Sequence, residues 1–118
     1  MKNKKLYLDD ERTPRTDGWD IVRNYEDFEN WITTNGLPDE VSFDHDLGAN
    51  EDGTLKKNGV NCARFLCNYC MENGLPLPDW NIHSANGVGR DNITSVLKTY
   101  EKIFKFEYYE ILFMFLGR

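Results

Sequence analysis

The 118-residue sequence has no run of residues that is both long enough and free enough of charge to cross a membrane. Its Lys-rich start lacks the apolar segment of a signal peptide. Cysteine is scarce, and the three residues, Cys62, Cys67 and Cys70, are too close together and odd in number for a disulfide framework. A zinc site is disfavoured because Cys67 and Cys70 would share a helix face with core residues. We therefore expect a cytoplasmic protein with reduced thiols.

Positive charge is also in short supply. The 14 Lys and Arg residues face 20 Asp and Glu residues, for a formal charge of -6. Such an acidic surface disfavours non-specific binding to nucleic acid or anionic membrane, so we expect no membrane partner and no extended nucleic-acid surface. A local basic cluster could still hold a phosphate; its members are Arg12, Arg15, Lys56, Lys57 and Arg90. The length fits one domain over residues 1–118, and neither internal repeats nor low-complexity segments occur.

Three short apolar segments run into polar residues at their carboxyl ends. They are Lys5–Leu8 before Asp9-Asp10-Glu11-Arg12, Val41–Phe43 before Asp44-His45-Asp46, and Trp80–Ile82 before His83-Ser84-Ala85-Asn86. Each pattern is typical of a buried strand. Since ligands bind at the carboxyl ends of strands in open α/β sheets, the three ends predict one site.

The remaining patterns alternate helices with strands. Apolar spacing predicts helices at Tyr25–Asn35, at Gly59–Asn73 and from Asp91 to about Ile103. Residues 13–18 have turn chemistry without a helical period, and Trp19–Asn24 reads as a more exposed strand. For Phe104–Leu116 we predict a final strand at the sheet edge, with a partner-binding tail as the alternative. This order predicts an α/β fold with a mostly parallel sheet flanked by helices. The polar loop between Ala49 and Asn58 is either a lid or a solvated connection.

Acidic residues gather at the first two of these strand ends. Asp9, Asp10 and Asp44, with Asp46 as a fourth candidate, would repel one another unless a cation lay between them. Oxygen ligands of this kind suit magnesium or manganese. The alternative is that Asp10 caps a turn and Asp46 faces water.

The only two histidines, His45 and His83, adjoin the same strand ends. Because a histidine can give or take a proton near neutral pH, both are candidates for general acid and base roles. The alternative for each is a hydrogen bond to a neighbouring strand end. Arg12 either forms an ion pair or reaches the site.

The segment after the fourth strand is suited to phosphate. Ser84, Asn86, Gly87, Gly89 and Arg90 supply a hydroxyl, an amide, glycine N–H groups and a guanidinium just before a helix. A helix N-terminus and a bidentate Arg both bind phosphate oxygens well.

Together these motifs resemble the cyclic-phosphate-processing receiver-like domains, a family related to the receiver domains of response regulators. The resemblance rests on Leu8-Asp9-Asp10-Glu11-Arg12-Thr13-Pro14, Phe43-Asp44-His45-Asp46-Leu47, His83-Ser84-Ala85-Asn86 and Gly89-Arg90-Asp91-Asn92-Ile93, in matching order over about residues 5–95. It implies a receiver-like (flavodoxin-like) sheet, from which this sequence departs by having its first helix reduced to a loop. Asp9 and Asp10 resemble the metal-binding acidic pair of receivers, Asp44 the phosphoacceptor, and Ser84-Ala85 the hydroxyl residue with its small neighbour.

The sequence departs from an ordinary receiver in two further ways. It adds the two histidines, and it has no Lys-Pro pair near the C-terminal strand, although Lys102 and Lys105 are nearby. The absence of that lysine disfavours a role in phosphotransfer signalling, whereas the two added histidines suit hydrolysis.

The resemblance implies metal-assisted opening of a cyclic phosphate, either a 2′,3′-cyclic end on RNA or a cyclic nucleotide. Asp9, Asp10 and Asp44 would hold the divalent cation, and His45 and His83 would activate water and protonate the leaving oxygen. Ser84, Asn86 and Arg90 would hold the non-bridging oxygens. Two other functions remain open: a non-catalytic module that binds a nucleotide or partner, and a receiver that is phosphorylated on Asp44.

Overall fold

The computed structural model describes residues 3–54 and 56–116 as a four-stranded sheet with three helices. In chain order the elements are β1 (Lys5–Leu8), β2 (Trp19–Val22), α1 (Tyr25–Asn35), β3 (Glu40–Phe43), α2 (Gly59–Asn73), β4 (Asp79–Ile82) and α3 (Gly87–Leu116). The predicted bounds of α1 and α2 are confirmed. Residues 9–18, between β1 and β2, contain no helix, as expected.

Local capping sets the ends of the first two helices. The Asn24 side chain accepts the Asp27 N–H at 2.8 Å before α1, and Asn58 and Asn61 form a reciprocal capping box before α2. Gly74 ends α2 in the left-handed conformation, with φ of 66°, which a glycine adopts without steric cost. These signals act within a few residues, which is why the sequence alone predicts both helices.

The sheet is parallel throughout, with strand order β2-β1-β3-β4. Leu8 is in register with Phe43, and Phe43 with Ile82, so β1, β3 and β4 end at one level. The predicted α/β class with a mostly parallel sheet is thus confirmed. The three strand ends that carry the polar motifs are neighbours in the sheet.

The two faces of the sheet differ because side chains alternate along each strand. Leu6, Leu8, Val41 and Phe43 face one side, where the buried residues of all three helices join them in a single core. Tyr7, Ser42 and Asn81 are in register on the opposite side, which we call the open face. The β1–β2 connection, a loop here, crosses this face.

The predicted edge strand at residues 104–116 is wrong, because α3 continues to Leu116 and is 30 residues long. Alternation around Phe104 and Phe106 suggested a strand, but no Gly or Pro interrupts residues 90–116 to end the helix. Tyr100 and Phe104 lie one helical turn apart with ring centroids at 6.0 Å. The helix also begins four residues before the predicted start at Asp91. Nowhere in the described ranges is a helix apolar enough over sufficient length to cross a membrane.

All three cysteines lie in α2 as buried free thiols, in agreement with the prediction of reduced cysteine. Burial raises the pKa of Cys67 to about 12 and that of Cys70 to about 11. They act as small core residues.

Candidate functional site

Asp9, Asp44 and His83 meet at the carboxyl edge of the sheet. Each is the first residue after its strand, and the ladder continues through all three: their N–H groups donate to Val22, Leu8 and Phe43 at 3.1, 2.9 and 2.9 Å. Since side chains alternate, residues at this position share the open face with Tyr7, Ser42 and Asn81. One potential ligand atom from each residue lies within 4.8 Å of the other two.

Asp9 is held as a carboxylate by the chain that follows it. Its side chain is 1% exposed, and Oδ1 accepts the N–H groups of Glu11 and Arg12 at 2.9 and 2.8 Å. Burial acts to raise the pKa of Asp9, but these backbone hydrogen bonds, together with His83 and Arg12, lower it overall.

Asp44 is the less favourably placed carboxylate. It accepts the His45 N–H at 2.9 Å, but burial and the neighbouring Asp9 raise its pKa. The guanidinium of Arg12 spans both acids, with Nε 3.0 Å from Asp9 and Nη2 3.5 Å from Asp44. Because the Arg12 side chain is 53% exposed, solvent screens much of this attraction. Arg12 therefore forms ion pairs and also reaches the site, so both alternatives stated for it apply.

His83 is oriented by a hydrogen-bonded chain across the open face. The Ser42 hydroxyl donates to Oδ1 of Asn81 at 2.5 Å, and the Asn81 amide nitrogen points to Glu40 at 3.4 Å. Oγ of Ser42 therefore accepts from Nδ1 of His83 at 2.8 Å, which assigns the proton of the neutral ring to Nδ1. The Tyr7 ring stacks on the imidazole, with the ring centroids 4.3 Å apart and an angle of 6° between the ring planes.

That tautomer leaves a lone pair on Nε2 of His83, 2.9 Å from Oδ2 of Asp9. Burial lowers the pKa of His83, and the Asp9 carboxylate offsets only part of this effect. Two acceptors at this distance require a proton or a cation between them. Two ligands about 2.1 Å from a metal and at right angles are themselves about 3 Å apart. The donor set of two carboxylates and one imidazole thus fits a divalent cation.

The other predicted cation ligands lie elsewhere. Asp46 is exposed, and its Oδ1 lies 2.9 Å from Nδ1 of His45. Asp10 lies beside Gly48, with its Oδ2 3.6 Å from the position that a Gly48 Cβ would take. Within residues 3–54 and 56–116, the group of three that could hold a metal is Asp9, Asp44 and His83. Asp10 and His45 follow these residues by one position and so fall on the other side of the sheet edge.

His45 lies beneath the start of α3. A Cβ on Gly89 would overlap the His45 ring, so this close approach requires glycine. The Asn86 amide donates to Oδ2 of Asp46 at 3.4 Å. The structure therefore joins His45 to Asp46 and Asn86 in a second group beside the Asp9–Asp44–His83 group.

The segment predicted to bind phosphate makes hydrogen bonds within itself. Oδ1 of Asn86 accepts the Gly89 N–H at 2.9 Å, Oγ of Ser84 accepts the Asn86 N–H at 3.1 Å, and Arg90 donates to the Ser84 carbonyl at 3.3 Å. Gly87 is exposed at the first position of α3. Asn86 thus caps α3.

The predicted basic cluster is divided. Arg12 and Arg15 line a cleft of about 690 Å³ on the open face, together with Tyr7, Trp19 and His83. Lys56 and Lys57 line a different cleft, and Nζ of Lys57 lies 4.3 Å from the Tyr25 ring.

Sequence reasoning missed the residues that support the site. Ser42, Asn81 and Tyr7 lie inside strands, each two positions before a site residue, Asp44, His83 and Asp9 respectively. Because side chains alternate along a strand, this spacing puts both members of each pair on the same face. It was the signal in the sequence that could have identified them. Sequence reasoning missed Gly59 as well, where a Cβ would overlap the Asp44 carbonyl. A helix start this close to the strand end requires glycine.

A family model described as a cyclic-phosphate processing receiver domain matches residues 4–99. No curated protein and no solved structure gives a significant match. The matched range contains the four strands, the first two helices, and both groups of site residues.

Proposed function

The chain belongs to the cyclic-phosphate processing receiver domain family, and from this premise we propose that it is a metal-dependent phosphoesterase that opens a cyclic phosphate. The substrate would be a cyclic nucleotide or the 2′,3′-cyclic phosphate end of an RNA. One observation carries the proposal: two buried carboxylates and an imidazole nitrogen converge within 4.8 Å. The half-exposed Arg12 side chain compensates only part of the charge of these two buried acids, and a cation between them would compensate the rest.

Asp9, Asp44 and Nε2 of His83 would hold the divalent cation, for which magnesium and manganese are our candidates. Bound there, the cation would supply positive charge to the phosphoryl oxygens as negative charge develops on them. Ser42 would keep the His83 tautomer that presents the Nε2 lone pair. His83, which the sequence suggested as an acid or base, becomes a ligand in this proposal.

Arg12 would bind the substrate phosphate. Its guanidinium spans Asp9 and Asp44, 3.0 and 3.5 Å away. A cation held by those carboxylates would weaken their attraction for Arg12, and the exposed side chain could then bind a non-bridging oxygen of the substrate in a bidentate manner. Arg90 and the segment from Ser84 to Gly89 remain candidates for a further phosphate contact.

The proton transfers would fall to His45. Hydrolysis adds water to phosphorus and breaks one ring P–O bond, and the freed oxygen then takes a proton. Asp46 contacts Nδ1 of His45 at 2.9 Å, which would place the proton on Nδ1 and leave Nε2 to exchange a proton. Asp46 therefore positions His45 in this proposal, although the sequence suggested it as a cation ligand.

The test is product formation from adenosine 2′,3′-cyclic and 3′,5′-cyclic monophosphates, followed by chromatography with magnesium, manganese or a chelator. We expect product only with a divalent cation, and a loss of about 100-fold or more in Asp44→Asn, because a bound cation is worth several kcal/mol to the transition state. Asp79→Asn is the matched control, since Asp79 is exposed at the amino end of β4. It should keep full activity.

Two results would overturn the proposal for these substrates. If nucleotides raise the melting temperature but no product forms, the protein is a binding module. If acetyl phosphate adds a stable phosphate to Asp44, seen by intact mass, it is a phosphoacceptor receiver. We also place the protein in a reducing compartment such as the cytoplasm, and the three buried free thiols support this.

A further inference from the structure

The open face of the sheet carries a cleft in which the proposed reaction uses only Arg12 and His83. Its volume is about 690 Å³, and its lining includes Tyr7, Arg12, Arg15, Trp19 and His83. This size is within the usual range for small-molecule sites. The cleft exists because a loop connects β1 to β2 where a helix would otherwise cover the face.

Aromatic rings form one wall of the cleft in an unbroken series. The His83 and Tyr7 rings are stacked, with centroids 4.3 Å apart, and the Trp19 ring meets Tyr7 edge-on at 5.8 Å and 72°. Trp19 is only half-buried, and its indole N–H is already satisfied by Thr16 at 3.0 Å. The exposed part of Trp19 therefore offers a ligand apolar ring surface, because the one polar atom of the side chain is already bonded.

Trp19 separates this cleft from a second one. Lys5 lines the second cleft and not the first, and its Nζ lies 4.9 Å from the Trp19 ring. A cation on that side leaves the ring surface toward the first cleft for an uncharged planar group.

The same cleft leads directly to the proposed reaction centre. Two of its lining residues, Arg12 and His83, contact Oδ2 of Asp9 at 3.0 and 2.9 Å. Arg15 adds a second guanidinium to the lining, in a protein whose formal charge is -6. Aromatic rings with guanidinium groups next to a phosphate centre are the chemistry that recognises a nucleotide.

We propose that this cleft binds the heterocyclic base of a nucleotide, with Trp19 as the stacking residue and the phosphate held at the Asp9–Asp44–His83 group. The proposal deepens the proposed function, on which it rests for the position of the phosphate. It makes cyclic phosphates that carry a base the preferred substrate class, because those of a bare polyol would bind through the phosphate alone.

Binding is measured by titrating the full chain with adenosine 2′,3′-cyclic monophosphate and with glycerol 1,2-cyclic phosphate, which lacks a base. Isothermal titration calorimetry measures the affinity of the wild type and of each variant, and chromatography of the same samples verifies that the ligand is intact. Base–aromatic stacking contributes about 1–3 kcal/mol, so Trp19→Leu should weaken nucleotide binding by roughly 5- to 150-fold. Trp19→Phe keeps a ring and should restore most of the affinity. Neither variant should alter binding of the glycerol compound.

A matched fluorescence control comes from Trp80, which lies on β4 and donates to Glu101 at 3.2 Å. The nucleotide-induced change in fluorescence should persist in Trp80→Phe and vanish in Trp19→Phe. Equal affinity for the two ligands in the wild type, or unchanged nucleotide affinity in Trp19→Leu, would overturn the proposal and leave the phosphoesterase function standing. Binding that depends on Trp19 but yields no product would support the base subsite while refuting that function.

Discussion

Replacing Asp44 by asparagine should stabilise the protein without divalent cations and abolish its stabilisation by them. Asp44 and Asp9 are both buried, and their ligand atoms lie within 4.8 Å of each other. Two unit charges at that distance repel by about 3 kcal/mol at an effective dielectric constant of about 20. Arg12 offsets part of this, and an asparagine oxygen can still accept the His45 N–H. We therefore expect a net gain of about 1–2 kcal/mol.

The pH dependence follows from the raised pKa of Asp44, which burial and then Asp9 cause. An acid whose pKa is higher in the folded than in the unfolded state destabilises the fold while it is ionised. The difference in free energy of unfolding between Asp44→Asn and the wild type should be largest at neutral pH, where Asp44 is ionised. It should close as the pH falls through the folded pKa toward 3.8, the ordinary value.

Urea unfolding in a chelator, followed by circular dichroism, measures this gap. The control Asp79→Asn should change the free energy of unfolding by no more than about 0.5 kcal/mol. Magnesium or manganese should then stabilise the wild type and Asp79→Asn but not Asp44→Asn. An Asp44→Asn protein that is less stable than the wild type in chelator would refute the argument from buried repulsion.

Three further predictions concern the packing around the site. Gly89→Ala should lower the free energy of unfolding by about 1–3 kcal/mol, because the new methyl group overlaps the His45 ring. In the control Gly87→Ala the methyl group meets open space, so the change should be neutral or stabilising by about 0.5 kcal/mol. Equal urea midpoints for the two variants would contradict this. Asn58→Ala should cost about 1 kcal/mol by removing the cap of α2, and Asn68→Ala on the exposed side of the same helix should cost nothing measurable. All three thiols should resist a disulfide reagent in the native protein and react in guanidinium, since all are buried with raised pKa values; rapid labelling of a native thiol would disagree.

The sequence by itself determined the elements whose signals are local. Helices α1 and α2 carry apolar residues at helical spacing between side-chain caps and glycines. Strands β1, β3 and β4 are short segments that run into polar residues at their carboxyl ends. The same patterns indicated that Asp9, Asp44 and His83 would lie at strand ends. The C-terminal half of α3 was misjudged because a short run of alternating aromatic residues fits either period.

Only the tertiary structure decided which polar residues meet. Strand register is a non-local property, and a shift of one residue exchanges the two faces of a sheet. Register placed Asp9, Asp44 and His83 together on the open face, with Ser42 and Asn81 behind His83, and it left His45 and Asp10 on the other side. The cleft beside Trp19 likewise depends on the loop between β1 and β2, which takes the place of a helix that would cover the open face. A linear pattern specifies which residues are at a strand end, but only packing in three dimensions specifies which of them face one another.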